Sequence, residues 1–569
     1  MKNKIKLNLL SELHLVFLLF TLFLFSFNAF AKSKMPDEKY TKLEFNIPMK
    51  DGILLATDVY LPKTGSKFPV VLVRTPYDKN GVKDAAEKFV KHNIVVVAQD
   101  CRGKLKSGGE FYPFINERED GLATLRWLRK QEWCNGKVGG WGGSYVGITQ
   151  WAISDSLDAL TPNMTGASMY DLVYDQGLFA LQTAFTWGLA ISAKEMNEAF
   201  MKKIPKSFNI LPLSSADDTV SYNVLFIDDW IAHEKYDQYW KTQDFSGMTK
   251  APLLSVAGWY DIFLKQQIAD FQILLHNGNP GNRLVIGPWC HGTQGFENKY
   301  GGSKKTGNQG EIIDNFLINQ LADKSQKVMT NPFTDKKYNL FIMEKNEYFG
   351  SDTWPPKESV PTAFYLGKDN KISTKKSTEK GELNYVYNPA DPYPSLGGTA
   401  LGVGVGPAEQ NKNRERKDQL FFETEILKTP LTLLGDLSAV LYVSSDARCT
   451  DFIVGIQDVF PDGKIINIQE GGSKVSFSGT QPEKKDISVW ATGYEIREGH
   501  KLRVVITSSW FPRYNRSLNI CEPAYIATKM KTANQTLWVG PEYPSCVVLP
   551  VLSEKKYNCL IEKKHHELY

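Results

Sequence analysis

The sequence predicts an α/β protein in which a parallel sheet carries a helical insertion and is followed by an all-β region. Three observations predict it: apolar β-branched runs alternate with helical spacing over 68–148, aromatic-rich helical spacing fills 170–250, and short alternating runs with turn pairs follow Trp354. At 569 residues the chain is too long for one hydrophobic core, so two or three domains are expected.

The first two strands of the sheet are predicted at residues 69–74 and 93–98, with a helix over 82–92 between them. A second helix over 119–130 leads to a short apolar run at 137–139. Buried β-branched runs joined by helices indicate parallel strands with crossover connections. Such sheets bind ligands beyond the carboxyl ends of their strands, so the chemistry is expected there.

Two later apolar runs, 252–257 and 283–286, fit the same sheet. The stretch from 170 to 250 is too long for a connecting loop, and we interpret it as a helical cap that covers the site. Short runs such as 437–443, with turns between them, suggest a C-terminal β-sandwich or jelly roll. We interpret the Gly- and Pro-rich residues 388–416 as a long surface excursion.

The N-terminal residues have the pattern of a signal peptide. Three lysines precede an apolar core at 15–27, and Ala29-Phe30-Ala31 forms the small-x-small pattern of a signal-peptidase site. The core is short for a spanning helix, which needs roughly 20 apolar residues, and an uncleaved anchor is the alternative. We therefore expect an exported protein, periplasmic or secreted, whose mature chain begins near Lys32.

These patterns together predict the domain organisation. The predicted parts are a signal peptide at 1–31, a sheet domain at 32–169 and 251–354, a helical cap at 170–250, and a C-terminal β domain at 355–569.

Charge and cysteine content exclude several classes of partner. The net charge is +4, half of it in the first 31 residues, which gives no support to a nucleic-acid partner or to stable membrane association after signal cleavage. Seven cysteines leave at least one unpaired, and their spacing matches no metal site. We expect neither a metal nor a cofactor, and disulfide pairing and homo-oligomerisation stay open.

A serine between glycines is the most informative local feature. The segment reads Gly140-Trp141-Gly142-Gly143-Ser144-Tyr145-Val146-Gly147 and leads from an apolar run into an amphipathic one. An α/β-hydrolase presents its nucleophile at such a strand-to-helix turn, which is so tight that the flanking side chains must be small. The match to Gly-x-Ser-x-Gly is imperfect because the second glycine comes one place late, so catalytic partners are needed as further evidence.

A serine hydroxyl becomes nucleophilic when a histidine takes its proton and a carboxylate orients that histidine. His291 follows directly on a predicted sheet strand, through Gly287-Pro288-Trp289-Cys290. The other seven histidines lie in the leader, the tail, the helices before strands, the cap or the β domain: His14, His92, His233, His276, His500, His565 and His566. His291 is therefore the predicted general base.

Asp261 is the predicted carboxylate, because it follows the strand at 253–257 through Gly258-Trp259-Tyr260. The order Ser144, Asp261, His291 is the order in which α/β-hydrolases carry these groups. Asp100 also follows a strand, but it precedes the serine, and with Arg102 it is interpreted as a structural turn containing an ion pair. Two further rivals for the role are Asp78 and Asp175.

Several longer motifs surround these residues, and together they extend through most of the mature chain. They are Arg74-Thr75-Pro76-Tyr77, Gln99-Asp100-Cys101-Arg102-Gly103, Asp120-Gly121, Trp133-Cys134-Asn135-Gly136-Lys137-Val138-Gly139, Gly142-Gly143-Ser144-Tyr145-Val146-Gly147, Gly258-Trp259-Tyr260-Asp261, Gly287-Pro288-Trp289-Cys290-His291, Asp458-Val459-Phe460-Pro461-Asp462-Gly463 and Ser508-Ser509-Trp510-Phe511-Pro512-Arg513. With these motifs the chain resembles the cocaine esterase and X-Pro dipeptidyl-peptidase-like (CocE/NonD) serine hydrolases, which include α-amino acid ester hydrolases and cephalosporin acylases. The late glycine at Gly147 is part of that resemblance.

The resemblance implies an α/β-hydrolase sheet with an inserted helical cap and a C-terminal jelly roll. It also implies Ser144 as nucleophile, His291 as base and Asp261 as the orienting acid. The oxyanion hole that it implies consists of the Tyr77 hydroxyl and the Tyr145 backbone N–H. A donor of this kind, aimed at the tetrahedral oxyanion, contributes roughly 10²–10³ in rate.

The resemblance further argues against one subfamily. α-Amino acid ester hydrolases hold the substrate ammonium with carboxylates, two of which lie just after the aspartate of the triad. In this chain Phe263 and Leu264 occupy those positions. Phe263 instead suits an apolar or aromatic acyl pocket, with Trp187 or Phe185 from the cap, although core packing is the alternative for each cap aromatic residue.

The predicted function is metal-free hydrolysis of a small ester or amide through an acyl-enzyme. The first alternative is an X-Pro dipeptidyl-peptidase acting on short peptides, which needs an acidic anchor that the sequence does not identify. An alternative of another class is a surface- or glycan-binding protein that uses the C-terminal β domain, since such folds host many binding functions.

Overall fold

The computed structural model describes residues 40–193, 198–220, 223–276, 281–292, 296–322, 335–402 and 404–553. The predicted signal peptide and the end of the tail lie outside the described residues. Within these ranges, no helix is both long enough and apolar enough to cross a membrane.

Ten strands form the central sheet. In chain order the first six are β1 (Tyr40–Pro48), β2 (Leu54–Pro62), β3 (Phe68–Thr75), β4 (Val95–Asp100), β5 (Cys134–Gly143) and β6 (Ala159–Asn163). After a hairpin of β7 (Tyr174–Asp175) and β8 (Leu178–Phe179), the last four are β9 (Leu254–Tyr260), β10 (Arg283–Cys290), β11 (Tyr338–Ile342) and β12 (Glu347–Ser351). The spatial order is β1-β2-β4-β3-β5-β6-β9-β10-β11-β12.

Every neighbouring pair from β4 to β11 is parallel, whereas β1, β2 and β12 join in antiparallel pairs. All residues of β3 and β4 are buried, which is why these strands read as continuous apolar runs. The predicted parallel α/β sheet is thus confirmed. The helices associated with it are Lys83–Val90, Glu117–Leu128, Tyr145–Trp151, Leu264–His276, Ser303–Thr306 and Gln309–Leu321.

Residues 170–250, called the cap segment below, connect β6 to β9, and most of the regular secondary structure described in them is helical. Their α-helices are Tyr170–Val173, Leu181–Ser192, Glu198–Met201, Ile204–Ser207, Leu225–Ala232 and Gln238–Lys241. Short 3₁₀ turns occur in several parts of the chain, at Lys79–Val82, Ser154–Ser156, Leu213–Ser215, Phe296–Tyr300 and Asn411–Asn413. Large aromatic side chains of the cap segment, such as Trp230 and Trp240, are fully buried.

The C-terminal β region (residues 355–553) contains eleven described strands in two sheets. They are β13 (Ser359–Leu366), β14 (Ile372–Ser373), β15 (Gly381–Tyr387), β16 (Gln419–Glu423), β17 (Leu431–Ser445), β18 (Cys449–Val459), β19 (Ile465–Ser476), β20 (Glu483–Ile496), β21 (Lys501–Thr507), β22 (Ala533–Val539) and β23 (Cys546–Leu552). One sheet has the order β14-β13-β23-β17-β22-β15 with β20 on β17, and the other has the order β16-β21-β18-β19. The β-rich character predicted after Trp354 is confirmed.

The interpretation of residues 388–416 as a surface excursion is wrong for much of its length. Tyr393, Ala400 and Val405 are buried, and Gly398 and Gly406 exchange backbone hydrogen bonds of 2.7 and 2.8 Å. The segment contains little regular secondary structure, so it shows no hydrophobic period, yet it packs into the interior. The lack of a hydrophobic period in this segment therefore did not indicate that it is exposed to solvent.

The cysteines agree with the expectation that at least one is unpaired, whereas the turn at Asp100 differs from its prediction. Cys449 and Cys521 form a disulfide, and the four described free cysteines are all buried: Cys101, Cys134, Cys290 and Cys546. Arg102 does not pair with Asp100 but with Asp51 and Asp120, at 2.6 Å in each case. Asp100 instead accepts the Lys79 backbone N–H at 2.8 Å, so the predicted internal ion pair is wrong.

Candidate active site

Ser144 lies at the sharp turn between β5 and the helix Tyr145–Trp151, with φ 55° and ψ −128°. A positive φ is strained for a residue with a side chain, and such strain clusters at functional sites. Gly142 precedes it with φ 124°, and a Cβ there would lie 2.4 Å from Val146 Cγ1. The turn therefore requires glycine before the serine and projects the hydroxyl beyond the carboxyl end of β5.

The late glycine of the motif has a direct steric explanation. A Cβ on Gly147 would lie 2.4 Å from Thr165 Cγ2, in the loop that follows β6. Thr165 in turn donates its hydroxyl proton to the Ser144 carbonyl at 2.8 Å. The glycine is needed where the helix contacts its neighbouring loop, and in this chain that position is 147.

The structure brings Ser144, His291 and Asp261 together. His291 Nε2 lies 3.0 Å from Ser144 Oγ, and His291 Nδ1 lies 2.8 Å from Asp261 Oδ2. Asp261 is fully buried and follows β9, while His291 is 8% exposed and follows β10. The Phe263 backbone N–H donates to Asp261 Oδ1 at 2.8 Å, which fixes the plane of the carboxylate. This chain of hydrogen bonds can move a proton away from the serine hydroxyl.

Tyr77 also reaches this site. Its hydroxyl accepts the Trp187 indole N–H at 2.9 Å and lies beside the Ser144 side chain. Burial raises the pKa of Tyr77 to about 12, and the hydrogen bonds with Trp187 and Ser144 act in the opposite direction. The phenol therefore stays protonated at neutral pH and can donate a hydrogen bond beside the serine.

The backbone N–H of Tyr145 is next to Ser144 in the chain. It is the first N–H of the helix Tyr145–Trp151, and such groups have no hydrogen-bond acceptor within the helix. The Tyr145 side chain is held from behind: the hydroxyl donates to Glu117 Oε1 at 2.7 Å and accepts the Phe114 N–H at 3.0 Å. Glu117 forms a buried ion pair with Arg74 at 2.9 Å. Burial is the main cause that holds the pKa of Tyr145 well above its usual range, and the negative charge of Glu117 is the second.

A cavity opens beside Ser144 and His291. Its described lining is Phe114, Ser144, Tyr145, Ile148, Leu172, Val173, Thr183, Ala184, Trp187, Trp230, Ile262, Phe263, His291 and Leu401. Phe263 and Trp187 thus line it, as expected, and the Phe263 ring lies 5.6 Å from the His291 ring. Phe185 does not line it, because it is fully buried and packs edge-on against Phe179. None of these lining residues is a carboxylate.

Parallel aromatic rings form one wall of the cavity. Trp187 stacks on Phe114 at 5.6 Å and on Trp230 at 5.8 Å, with interplanar angles of 18° and 14°. Phe114 has φ 73°, a strained value for an aromatic residue. Sequence reasoning did not identify Phe114, Trp230 or Leu401, since each lies on a different segment without a motif around it.

The rival carboxylates have other contacts. Asp78 accepts the Asn80 N–H at 2.9 Å and begins a 3₁₀ turn. Asp175 bonds to Trp490 and Tyr514 in the C-terminal β region. In the part of the chain that the structure describes, no group of three or more His, Cys, Asp or Glu side chains is arranged to hold a metal ion.

Two family models match the chain. The model of the X-Pro dipeptidyl-peptidase S15 family matches residues 51–293. The model of the X-Pro dipeptidyl-peptidase C-terminal non-catalytic domain matches residues 331–548.

Individual proteins also match over nearly the whole chain. The chain is 32% identical to the cocaine esterase of Rhodococcus sp. (strain MB1 Bresler), an alignment that covers 89% of this chain and 97% of that protein. Solved structures with the same fold include an aminopeptidase from a Thaumarchaeota archaeon (TM-score 0.76, 22% identity, 93% and 100% covered) and an α-amino acid ester hydrolase (TM-score 0.74, 23% identity, 93% and 99% covered). The chain is therefore a serine hydrolase that belongs to the cocaine esterase and X-Pro dipeptidyl-peptidase-like (CocE/NonD) family.

Proposed function

We propose that the protein is an esterase that works through an acyl-enzyme on Ser144. The observation that carries this proposal is the buried chain of hydrogen bonds from Asp261 through His291 to Ser144. Ser144 Oγ attacks the ester carbonyl carbon while His291 Nε2 takes its proton. Asp261 holds the proton on Nδ1 and stabilises the imidazolium. His291 then protonates the leaving alcohol, and a water molecule, activated by the same imidazole, releases the acid.

We further propose that the oxyanion of the tetrahedral intermediate is held by the Tyr77 hydroxyl and the Tyr145 N–H. The support is their position: the Tyr77 hydroxyl lies beside the Ser144 side chain, and the Tyr145 amide directly follows Ser144 in the chain. The donors are preorganised, because Trp187 and the Arg74–Glu117 pair hold the two tyrosines. Fixed donors in a water-poor site stabilise developing charge without reorganisation.

The substrate class that the cavity favours is an ester with an apolar, preferably aromatic, acyl group. Flat rings of Trp187, Phe114 and Trp230 form one wall, and Phe263 lies beside the general base. Aromatic pairs in stacked geometry are worth about 0.5–1.5 kcal/mol beyond the area that they bury. A charged acyl group would lose its hydration in this cavity with no opposite charge among the lining residues.

An X-Pro dipeptidyl-peptidase is the second candidate, since the S15 family model matches residues 51–293. That activity needs a carboxylate for the substrate N-terminus, and the described lining of the cavity contains none. The decisive experiment compares kcat/KM for p-nitrophenyl phenylacetate, p-nitrophenyl acetate, an amino acid ester and an X-Pro anilide. We expect phenylacetate to be the best substrate. A higher kcat/KM for the X-Pro anilide would overturn the esterase proposal.

The domain roles belong to the same proposal. We infer that residues 170–250 act as the cap, since Trp187 and Trp230 line the cavity beside Ser144, and that the two C-terminal sheets form a jelly roll. Export is supported by the leader pattern at 1–31 and by the Cys449–Cys521 disulfide, because disulfides persist in oxidising compartments. N-terminal sequencing of the protein recovered outside the cytoplasm should begin near Lys32. The glycan-binding alternative stays a prediction.

Replacing Tyr77 by phenylalanine is expected to lower kcat/KM for p-nitrophenyl acetate by about 10²–10³-fold, because one oxyanion donor is lost. The matched control is Tyr112→Phe, which removes a hydroxyl that bonds to Asp229 and Tyr239 in the cap segment. Steady-state kinetics of both variants provide the comparison. Equal losses in the two variants would contradict the role assigned to Tyr77.

A further inference from the structure

The turn between β7 and β8 inserts into the C-terminal β region. Gln176 at its tip donates its side-chain amide to the carbonyls of Gly472 (2.8 Å) and Ser488 (3.0 Å), and its Oε1 accepts the Ser488 N–H at 2.8 Å. The Gln176 carbonyl also accepts the Lys474 N–H at 3.1 Å. One residue of the cap segment thus bridges β19 and β20 by hydrogen bonds to their backbones.

Asp175, the preceding residue, joins three parts of the molecule. Its Oδ2 accepts the Trp490 indole N–H at 2.7 Å and the Tyr514 hydroxyl at 2.9 Å, both from the C-terminal β region. Its Oδ1 accepts Lys265 Nζ at 2.7 Å, from the helix Leu264–His276 of the sheet domain. The Asp175 side chain is 4% exposed, so this carboxylate depends on its donors for the hydration that it has lost.

Trp490 is aimed at Asp175 by an irregularity in its strand. The register of β17 and β20 shifts from Asp436↔Ala491 to Ser438↔Ser488, so two residues of β20 oppose one of β17. Trp490 has φ 60°, an outlier for a bulky residue. A bulge of this kind redirects a side chain at the cost of strain, and here the redirected indole reaches into the cap segment.

Arg513 supports the two donors from the other side. Its guanidinium lies 5.0 Å from the Trp490 ring centroid and 4.7 Å from that of Tyr514, and it forms a buried ion pair with Glu470. Arg513 is the last residue of the motif at 508–513. The mechanism proposed above for Ser144 uses no residue of that motif. The motif is thus explained by its contacts with the cap segment, since the preceding Pro512 carbonyl also accepts the Gln182 N–H at 3.0 Å.

The residues tied by Asp175 carry two walls of the acyl cavity. Leu172 and Val173 line the cavity just before Asp175, and Trp187 lines it from the helix that begins at Leu181. Lys265 lies two residues after Phe263, which lines a second wall of the cavity beside His291. A shift of the hairpin relative to Lys265 would therefore change the separation of the two walls.

We propose that Asp175 is a positioning residue for acyl specificity, through which the C-terminal β region sets the width of the acyl cavity. The proposal rests on the esterase function proposed above. Asp175 touches no reacting atom, so its loss changes the fit of large acyl groups and leaves the hydrogen-bond chain at Ser144 intact. A bulky aromatic acyl group contacts both walls, whereas an acetyl group contacts little of either.

The test compares kcat/KM for p-nitrophenyl phenylacetate with that for p-nitrophenyl acetate in Asp175→Asn and Trp490→Phe. In Asp175→Asn, the asparagine NH₂ group faces one of the groups that donate hydrogen bonds to Asp175. In Trp490→Phe, the indole N–H donor is lost and an aromatic ring is kept. We expect the phenylacetate-to-acetate ratio to fall about tenfold or more in Asp175→Asn, through KM, since small displacements in a site have large effects. The rate of phosphonylation of Ser144 by a small fluorophosphonate should match that of the wild type.

Glu234→Gln is the matched control. Glu234 of the cap segment pairs with Lys474 of the C-terminal β region at 2.9 Å, but this ion pair is partly exposed to solvent. We expect the control to keep the wild-type ratio. If Asp175→Asn fails to fold, Trp490→Phe and Lys265→Met each remove one donor and decide the matter in its place. A wild-type protein that hydrolyses neither ester overturns both proposals. Hydrolysis of both esters with an unchanged ratio in the folded variants overturns the positioning role alone.

Discussion

Ser144→Ala is expected to lower kcat for ester hydrolysis by about 10⁶-fold, because the acyl-enzyme cannot form without the hydroxyl. The loss should appear in kcat, since the cavity walls that bind the acyl group are untouched. Steady-state kinetics with p-nitrophenyl phenylacetate, on protein free of wild-type contamination, measure it. The variant should keep the wild-type unfolding temperature, because alanine occupies the same strained backbone position as serine.

Ser154→Ala is the control for that variant. Ser154 is a fully buried serine ten residues further along, at the start of a 3₁₀ turn. Its replacement should leave kcat at the wild-type value. A Ser144→Ala protein that retained more than a small fraction of wild-type kcat would contradict the assignment of the nucleophile.

Asp261→Asn is expected to lower kcat by about 10⁴-fold while the fold is kept. The Phe263 N–H donates to Oδ1 at 2.8 Å, so the asparagine oxygen is held there and its NH₂ faces His291 Nδ1. An N–H donor at that place makes Nδ1 an acceptor and moves the imidazole proton to Nε2. His291 then presents a proton to Ser144 and cannot take one from it.

Asp270→Asn separates this effect from the loss of a buried carboxylate in general. Asp270 is fully buried nine residues later and accepts the Ala167 N–H at 2.8 Å. Burial raises its pKa to about 7, so a neutral amide is a mild replacement. The kcat of Asp270→Asn should stay far above that of Asp261→Asn. Similar losses in both variants would argue against a specific role for Asp261.

The central strands were predictable because burial on both faces leaves a continuous apolar run, as in β3 and β4. β5 was recognised only at residues 137–139, although it spans Cys134–Gly143. Its glycines have low strand propensity but are needed for close packing: a Cβ on Gly139 would lie 2.8 Å from Leu321, and one on Gly140 would lie 2.7 Å from Gln150. Contacts between distant segments decided this strand, and the local pattern did not reveal them.

The placement of Ser144, Asp261 and His291 together was predictable because parallel strands end at the same edge of the sheet. The cavity was predictable only in part. Phe263 was found through its position after Asp261, whereas Leu401 comes from a Gly-rich stretch without a hydrophobic period. Asp175 was considered as an acid for the triad, and its contacts with Trp490 depend on a strand more than 300 residues away. Contacts between residues so far apart in the chain produce no recognisable spacing pattern in the sequence.

The most direct test of the account is mass mapping of the protein after inactivation by a p-nitrophenyl phosphonate, which reacts with an activated serine. We predict one adduct per chain, on the peptide that contains Ser144, with loss of esterase activity in proportion to labelling. His291→Ala should label far more slowly. Complete inactivation with the adduct on another residue, or full activity in a protein labelled at Ser144, would contradict the proposed mechanism.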